Sequence, residues 1–334
     1  VASLSFSAGH RTATRPPAAF NASLQALSGW QSTIRDDYTR SDLEREVRNA
    51  LLCVKRDATP GFPLSERYQN NAEVLESISG ELVTKCVDRL TALLEVEEVQ
   101  DDPAWFVQSG LHDFVVPFEK QEPHPSRKAC LGRWRIVSCL SLVDQVIERV
   151  LFEPCVRGVK LRYPQTEAVV GIGFTDQMSS EFAEEVVNDP SPGVLYSTDI
   201  SGWDRSQSRD FIQNASEMVI AKCETPDSDK VKRAIRHHAL MLTNPAFLVP
   251  SPCKRKRLVL SRSNPGGMLS GSYLTTLYNT LSRLDAAYLS GAVQARAAGD
   301  DALEKHVQPI DVARARYKMM GFTLRDVDEL SHTR

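Results

Sequence analysis

The chain has 334 residues, is 42% hydrophobic and 25% charged, and carries a formal net charge of −3 with a pI near 6.2. That content supports a large core in one continuous enzyme with subdomains, and the slightly acidic balance argues against a surface coated in basic charge, so any nucleic-acid contact must come from local clusters. Seven scattered cysteines without a CxxC pair exclude a disulfide framework and a zinc site and point to a reducing compartment, and neither a signal peptide nor a run of eighteen apolar residues is found.

Residues 1–40 are rich in Ser, Ala and Thr and contain Arg15-Pro16-Pro17, which predicts a loosely ordered front; the Val1 start and the polar end at Arg334 suit a processed product or a fragment. Leu43, Val47, Leu51 and Val54 recur at helical spacing, predicting a helix over 41–54 with Ser41 and Glu44 as a capping box. Thr59-Pro60-Gly61-Phe62-Pro63 is a loop signal, and a second helical stripe covers 72–98. Short strands are predicted over 115–118 and 134–137, joined by a basic loop, then helices over 142–152 and, after a Gly171-Ile172-Gly173 turn, over 176–187. A strand over 194–200 ends at a Ser201-Gly202 turn. It is followed by helices over 209–222 and 229–242, a short strand over 257–261, the loop Asn264-Pro265-Gly266-Gly267, and a long helix over 270–289. Strands over 292–298 and 302–307 flank Gly299-Asp300-Asp301, which reads as a hairpin with glycine in its tight turn. The first of these strands carries Gln294 and Arg296, which argues against its full burial. A last helix over 311–320 ends at Gly321. Trp30, Trp105, Trp134 and Trp203 are expected in the core, and the histidines show no metal-binding spacing.

The chemistry lies in the carboxylates. Asp199 sits at a strand end, Asp204 follows past a glycine turn, and Asp300 and Asp301 occupy a hairpin tip. In-line phosphoryl transfer needs attacking and leaving oxygens stabilised together, which a pair of divalent ions about 3.5–4 Å apart achieves. Magnesium takes only one or two protein carboxylates and fills its other positions with water and phosphate, so aspartates converging from two strand ends suit it. Either aspartate pattern alone is a common turn; their order and separation carry the weight.

With these residues in hand, a resemblance appears. Tyr196-Ser197-Thr198-Asp199-Ile200-Ser201-Gly202-Trp203-Asp204 resembles motif A of positive-strand RNA virus polymerases, Ser270-Gly271 with Thr275 and Asn279 resembles the SGxxxTxxxN pattern of motif B, and Gly299-Asp300-Asp301 resembles motif C, in the same chain order. Lys120-Gln121-Glu122-Pro123-His124 through Gly132-Arg133-Trp134-Arg135-Ile136 resembles motif F, Ala58 to Pro63 resembles motif G, and Tyr317 to Leu324 resembles motif D. The likeness covers roughly residues 55–334 and is most like the sobemovirus and polerovirus branch.

The resemblance implies an α+β right-hand polymerase fold. Fingers of helices and loops and an RRM-like palm of antiparallel sheet packed on helices are expected, with the thumb largely absent. Residues 1–190 would form the N-terminal region and fingers, and 191–334 the palm, with a fingers insertion at about 211–260. It implies an RNA-directed RNA polymerase that extends RNA from NTPs with two Mg²⁺ ions, Mn²⁺ being a substitute. Partners would be template and nascent RNA, NTPs and other viral replication proteins, in replication complexes of the host cytoplasm. Asp199, Asp300 and Asp301 would hold the metals, and Asp204 with Asn279 would read the ribose 2′-hydroxyl, which is both donor and acceptor. Thr275 would orient that pair, Ser270 and Gly271 would contact template and nucleotide, and Lys120, Arg133 and Arg135 would meet triphosphate oxygens. Lys128, the run Lys254 to Arg257 and Lys318, a candidate proton donor, are lesser basic candidates.

Overall fold

The structure, a computed structural model, describes residues 17–330 apart from 121, 124, 125, 127–129, 131–134, 164, 172–174 and 252–255. Its strands are, in chain order, β1 (Val116–Glu119), β2 (Ile136–Cys139), β3 (Val194–Ile200), β4 (Phe247–Pro250), β5 (Arg257–Leu260), β6 (Gln294–Ala298), β7 (Asp301–His306) and β8 (Leu324–Glu329). The chain divides into two compact units, each gathered from separate stretches. Of the described residues, one is built from Ser32–Glu153 and Thr225–Leu274, the other from those up to Gln31, Pro154–Glu224 and those from Thr275 on.

In the first unit the helices Arg40–Leu52 and Asp229–Thr243 both pack on the long helix Asn71–Glu95. The predicted stripe is correct, with Leu43, Val47 and Leu51 buried. The cap, however, is Thr39: its hydroxyl accepts the Asp42 N–H while the Asp42 carboxylate accepts the Thr39 N–H, so the capping box lies two residues earlier than expected. β1 and β2 form an antiparallel ribbon, and β4 and β5 form a second. Gly61 takes φ +65° where an added Cβ would lie 2.4 Å from the Leu140 carbonyl oxygen, so the predicted loop there requires glycine for both reasons. Buried Arg89 donates to Asp113 at 2.8 Å and to Asp144 at 2.6 Å, and Asp144 also accepts from Ser141. Burial alone would raise Asp144, but the charges of His112 and Arg89 and these donors hold it down to about 2.

In the second unit β6, β7, β3 and β8 lie side by side in that order, all antiparallel. The helix Thr275–Ser290 packs on β6 and β7, and the helices Pro17–Gln25, Arg209–Ala221 and Ile310–Met319 pack on that helix. Ile200, Trp203, Phe211, Tyr317, Met320, Phe322 and Leu324 form the core here, with Trp203 and Phe322 ring centroids 4.9 Å apart. Mixed helix and antiparallel sheet is the expected α+β class.

Several sequence expectations are corrected. The helix expected over 142–152 runs as Leu142–Leu161, past Pro154, because Cys155, Val156 and Val159 continue its buried face. The helix expected to start at Ser270 begins at Thr275, since residues 270–274 are held in a turn by tertiary hydrogen bonds. Strand β6 is buried despite its polar side chains: Gln294 and Arg296 are each 8% exposed, and the Arg296 guanidinium reaches Glu185 at 3.3 Å while its stem stays inside.

Candidate active site

Strand alternation sorts the side chains of β3 onto two faces. Thr198 and Ile200 are buried, whereas Asp199 is partly open, its side chain 20% exposed. In the β6–β7 hairpin Ala298 pairs with Asp301, leaving Gly299 and Asp300 as a two-residue turn. Gly299 has φ +71°, a left-handed conformation that glycine takes without strain, and its N–H donates to Thr280 Oγ1 at 2.8 Å. Because Thr198 pairs with Ala302 across β3 and β7, the next step along the two strands brings Asp199 beside Asp301 on the open face. The three acidic residues thus gather at one end of the sheet.

Their electrostatics agree. Burial and then the neighbouring Asp300 and Asp199 charges raise the Asp301 carboxyl above its ordinary value. Asp199 is likewise raised, first by burial and also by Asp300 and Asp326, against the opposing pull of Arg325. Arg325 is the extra residue of a bulge: Asp199 pairs with Asp326 but Ile200 pairs with Leu324. The bulge turns the Arg325 guanidinium onto Asp199, where Nη2 donates to Oδ2. Among the described residues no three His, Cys, Asp or Glu side chains close around one point as a preformed metal cage. The donor set nevertheless suits a hard divalent ion: carboxylate oxygens crowded enough to raise each other's affinity for protons, which a bound cation would relieve.

Beneath this acidic rim lies a fully buried ion cluster. Arg283, on the Thr275–Ser290 helix, is 0% exposed and uses its whole fork. Nε donates to the Asp300 carbonyl at 3.0 Å, Nη1 to the Tyr317 hydroxyl at 2.6 Å, and Nη2 to Glu304 Oε1 at 2.7 Å and to Thr198 Oγ1. Glu304 also accepts from Thr198 at 2.7 Å and Tyr317 at 2.8 Å, and lies 2.8 Å from His306 Nε2. Burial would raise Glu304, but the Arg283 charge and these hydrogen bonds hold it down to about 2. One arginine therefore ties β3, the hairpin turn, β7 and the helix Ile310–Met319 together under the acidic residues.

Asp204 and Asn279 meet as their motif pattern expects, with Asn279 Nδ2 donating to Asp204 Oδ1 at 2.6 Å. Gln207 Nε2 donates to Asn279 Oδ1, also at 2.6 Å. Thr275 opens the same helix one turn before Asn279.

Of the other candidates, Ser270, Gly271, Lys120, Arg135 and Arg257 belong to the first unit. Ser270 Oγ accepts from the Ser138 N–H and donates to the Ile136 carbonyl, both at 3.3 Å, so it rides on the backbone of β2. A Cβ on Gly271 would fall 2.1 Å from the Ser138 oxygen, so only glycine fits this approach. Buried Glu148 holds the next residues, accepting from Ser272 Oγ at 2.6 Å and from the Tyr273 N–H at 2.7 Å. Lys120 and Arg135 are brought together by the β1–β2 ribbon, and both pair with Glu122, at 2.9 and 3.0 Å. Arg133, Lys128, Lys254 and Arg255 lie outside the described residues. Arg257 pairs with Glu66 at 2.5 Å and stacks over Phe62. Lys318, in the second unit, is exposed in the last turn of its helix, and a cation that touches the acidic rim is Arg325, one residue past the segment that resembles motif D.

Sequence reading missed Arg283, Glu304, Gln207 and Arg325. A signal for Arg283 was present: Thr275, Asn279 and Arg283 recur at i, i+4 and i+8, so Arg283 continues the face that carries the motif B residues. No sequence pattern marks Arg325, because a bulge is a property of strand pairing.

Comparison with known proteins bears on the family and the fold. A family model described as viral RNA-dependent RNA polymerase matches residues 21–303. The replicase polyprotein P2AB of Southern bean mosaic virus is 33% identical over 278 residues, covering 82% of this chain and 28% of that protein. Protein P1-P2 of Turnip yellows virus is 31% identical, covering 70% of this chain and 23% of its own length. The RNA-directed RNA polymerase of Mushroom bacilliform virus is 27% identical over 281 residues, covering 79% of this chain and 65% of that protein. The chain thus spans about a quarter to a third of the polyproteins it matches and about two thirds of the mushroom virus enzyme. Among solved structures, a Sicinivirus 3Dpol RNA-dependent RNA polymerase superposes with a TM-score of 0.64 at 13% identity, covering 99% of this chain and 67% of that one. At that identity the likeness speaks for the fold.

Proposed function

Since the chain belongs to the viral RNA-dependent RNA polymerase family, we propose that it catalyses template-directed RNA synthesis, joining NTPs to an RNA 3′-hydroxyl. The observation that carries this reading is the meeting of Asp199 with Asp300 and Asp301 at one end of the β6-β7-β3-β8 sheet. These carboxylates would hold two Mg²⁺ ions, or Mn²⁺ in their place. Such a pair supplies charge neutralisation at the attacking and leaving oxygens. Asp199 and Asp300 would provide the metal-facing oxygens and Asp301 an auxiliary one. Arg283 fixes the turn from below through the Asp300 carbonyl. Arg325 donates to one Asp199 oxygen, so it would have to release that oxygen for a metal to be held there.

Asp204 and Asn279 take the ribose, and this pairing favours an RNA product over DNA. Ser270 and Gly271 meet template and nucleotide, and Lys120, Arg133 and Arg135 meet the triphosphate, on the strength of the motif pattern. Partners on this reading are template and nascent RNA, NTPs and other viral replication proteins, in replication complexes of the host cytoplasm. The test is Asp300→Ala in a primer-extension assay with Mg²⁺ or Mn²⁺. Extension should vanish while the far-ultraviolet circular dichroism is unchanged; wild-type synthesis by the variant overturns the assignment.

A further inference from the structure

We propose that Gln207 is a positioning residue that holds the Asn279 amide in the orientation that reads the ribose 2′-hydroxyl, and so sets the preference for ribonucleotides. This rests on the polymerase reading above and names a determinant of its sugar specificity.

The chain of hydrogen bonds allows one orientation. An ionised Asp204 only accepts, so Asn279 must turn its NH₂ toward it, as the 2.6 Å contact has it. That leaves Asn279 Oδ1 on the other side, where it accepts from Gln207 Nε2 at 2.6 Å. Reversing the amide would set oxygen against carboxylate and NH₂ against NH₂. A 2′-hydroxyl entering this site is both donor and acceptor and competes for Asp204 and for the Asn279 NH₂. Asp204 then no longer fixes the amide by itself. The Gln207 bond lies behind Asn279, away from that competition, and Gln207 is only 2% exposed.

Two further observations favour this role over packing. Gln207 Oε1 is buried with no hydrogen-bond partner among the described residues, a destabilising arrangement that an apolar side chain of similar size would avoid. The backbone also leaves the short helix Trp203–Ser206 at Gln207, with φ −64° and ψ 127°, so this buried side chain stands at an extended position rather than on a helical surface. The amide is poorly suited to filling space there and well suited to donating to Asn279.

The experiment compares the wild-type chain with Gln207→Leu and Gln207→Glu in single-nucleotide incorporation on a primed homopolymer RNA. ATP and 2′-deoxy-ATP are run side by side and thermal midpoints are recorded. In Gln207→Leu the ratio of kcat/KM for ATP over dATP should fall about five- to tenfold, the worth of one hydrogen bond, through a higher KM for ATP with dATP use unchanged. Gln207→Glu, which cannot donate to Asn279 Oδ1, should lose at least as much and decides the question if the leucine variant fails to fold. A ratio that stays at the wild-type value while both nucleotides decline together overturns the proposal. If the wild-type chain incorporates no nucleotide, the polymerase reading fails separately. The relay is then read from equilibrium binding of ATP and dATP, and an unchanged affinity ratio in the variants overturns it.

Discussion

The two faces of the β3–β7 strand pair have opposite electrostatic designs a single residue apart. On one face Asp199 and Asp301 are half open, crowded by Asp300 and pushed toward protonation. On the other, Thr198 and Glu304 are buried against Arg283, every charge is paired, and Glu304 is held down to about 2. The first face stores unfavourable like-charge energy that a cation would release. The second is a satisfied network that keeps the hairpin from relaxing away from that strain. In such a pair, sites of chemistry and sites of stability are separate residues on the same strands, and substitutions should tell them apart.

The largest separation is expected from Asp300→Ala. Incorporation should fall by about a thousandfold or more, with stability within about 0.5 kcal/mol of wild type because the side chain is exposed and leaves no buried group unpaired. Arg283→Met inverts that profile. It leaves Glu304 buried without its cation and should destabilise by about 3–5 kcal/mol in urea titration. Loss of activity without loss of stability would contradict the buried network.

Glu304→Gln sharpens the electrostatic side. The Glu304 carboxyl is held at about 2 when folded and returns to its ordinary 4.5 when unfolded, so the unfolded chain takes up the proton first as pH falls. Its contribution is complete above pH 4.5 and is lost between pH 4.5 and 2, at about 1.4 kcal/mol per pH unit. The variant should therefore be less stable at neutral pH and converge on wild type toward pH 2; parallel stability curves down to pH 2 would refute this. The smallest effect is expected from Arg325→Gln on the open face. Removing an exposed competitor for Asp199 should tighten Mn²⁺ binding about two- to fivefold by calorimetry, in line with the modest energy of surface ion pairs. Unchanged or weaker binding would show that Arg325 does not compete for the carboxylate.

Residues 194–200, 209–221 and the hairpin around Gly299 were legible because each depends on local chemistry: apolar alternation, helical periodicity and a glycine in a tight turn. The candidate residues Asp199, Asp204, Asn279, Asp300 and Asp301 were picked out by a spacing that matches a motif pattern. What local chemistry does not specify is which residues satisfy one another across the chain. The helix start at Thr275 rather than Ser270 depends on bonds to β2 and Glu148, and the burial of Gln294 and Arg296 depends on partners from other elements.

By itself, then, the order of residues determined the strands and helices that carry the acidic side chains, and the pattern by which those residues are recognised. Tertiary structure alone decided that Arg283 lies beneath them, that a bulge delivers Arg325 to Asp199, and that Gln207 stands behind Asn279. The reason is physical. Periodicity and turn propensity act over a few residues, whereas a buried hydrogen bond is specified only when packing brings donor and acceptor together, here over separations of 17, 126 and 72 residues.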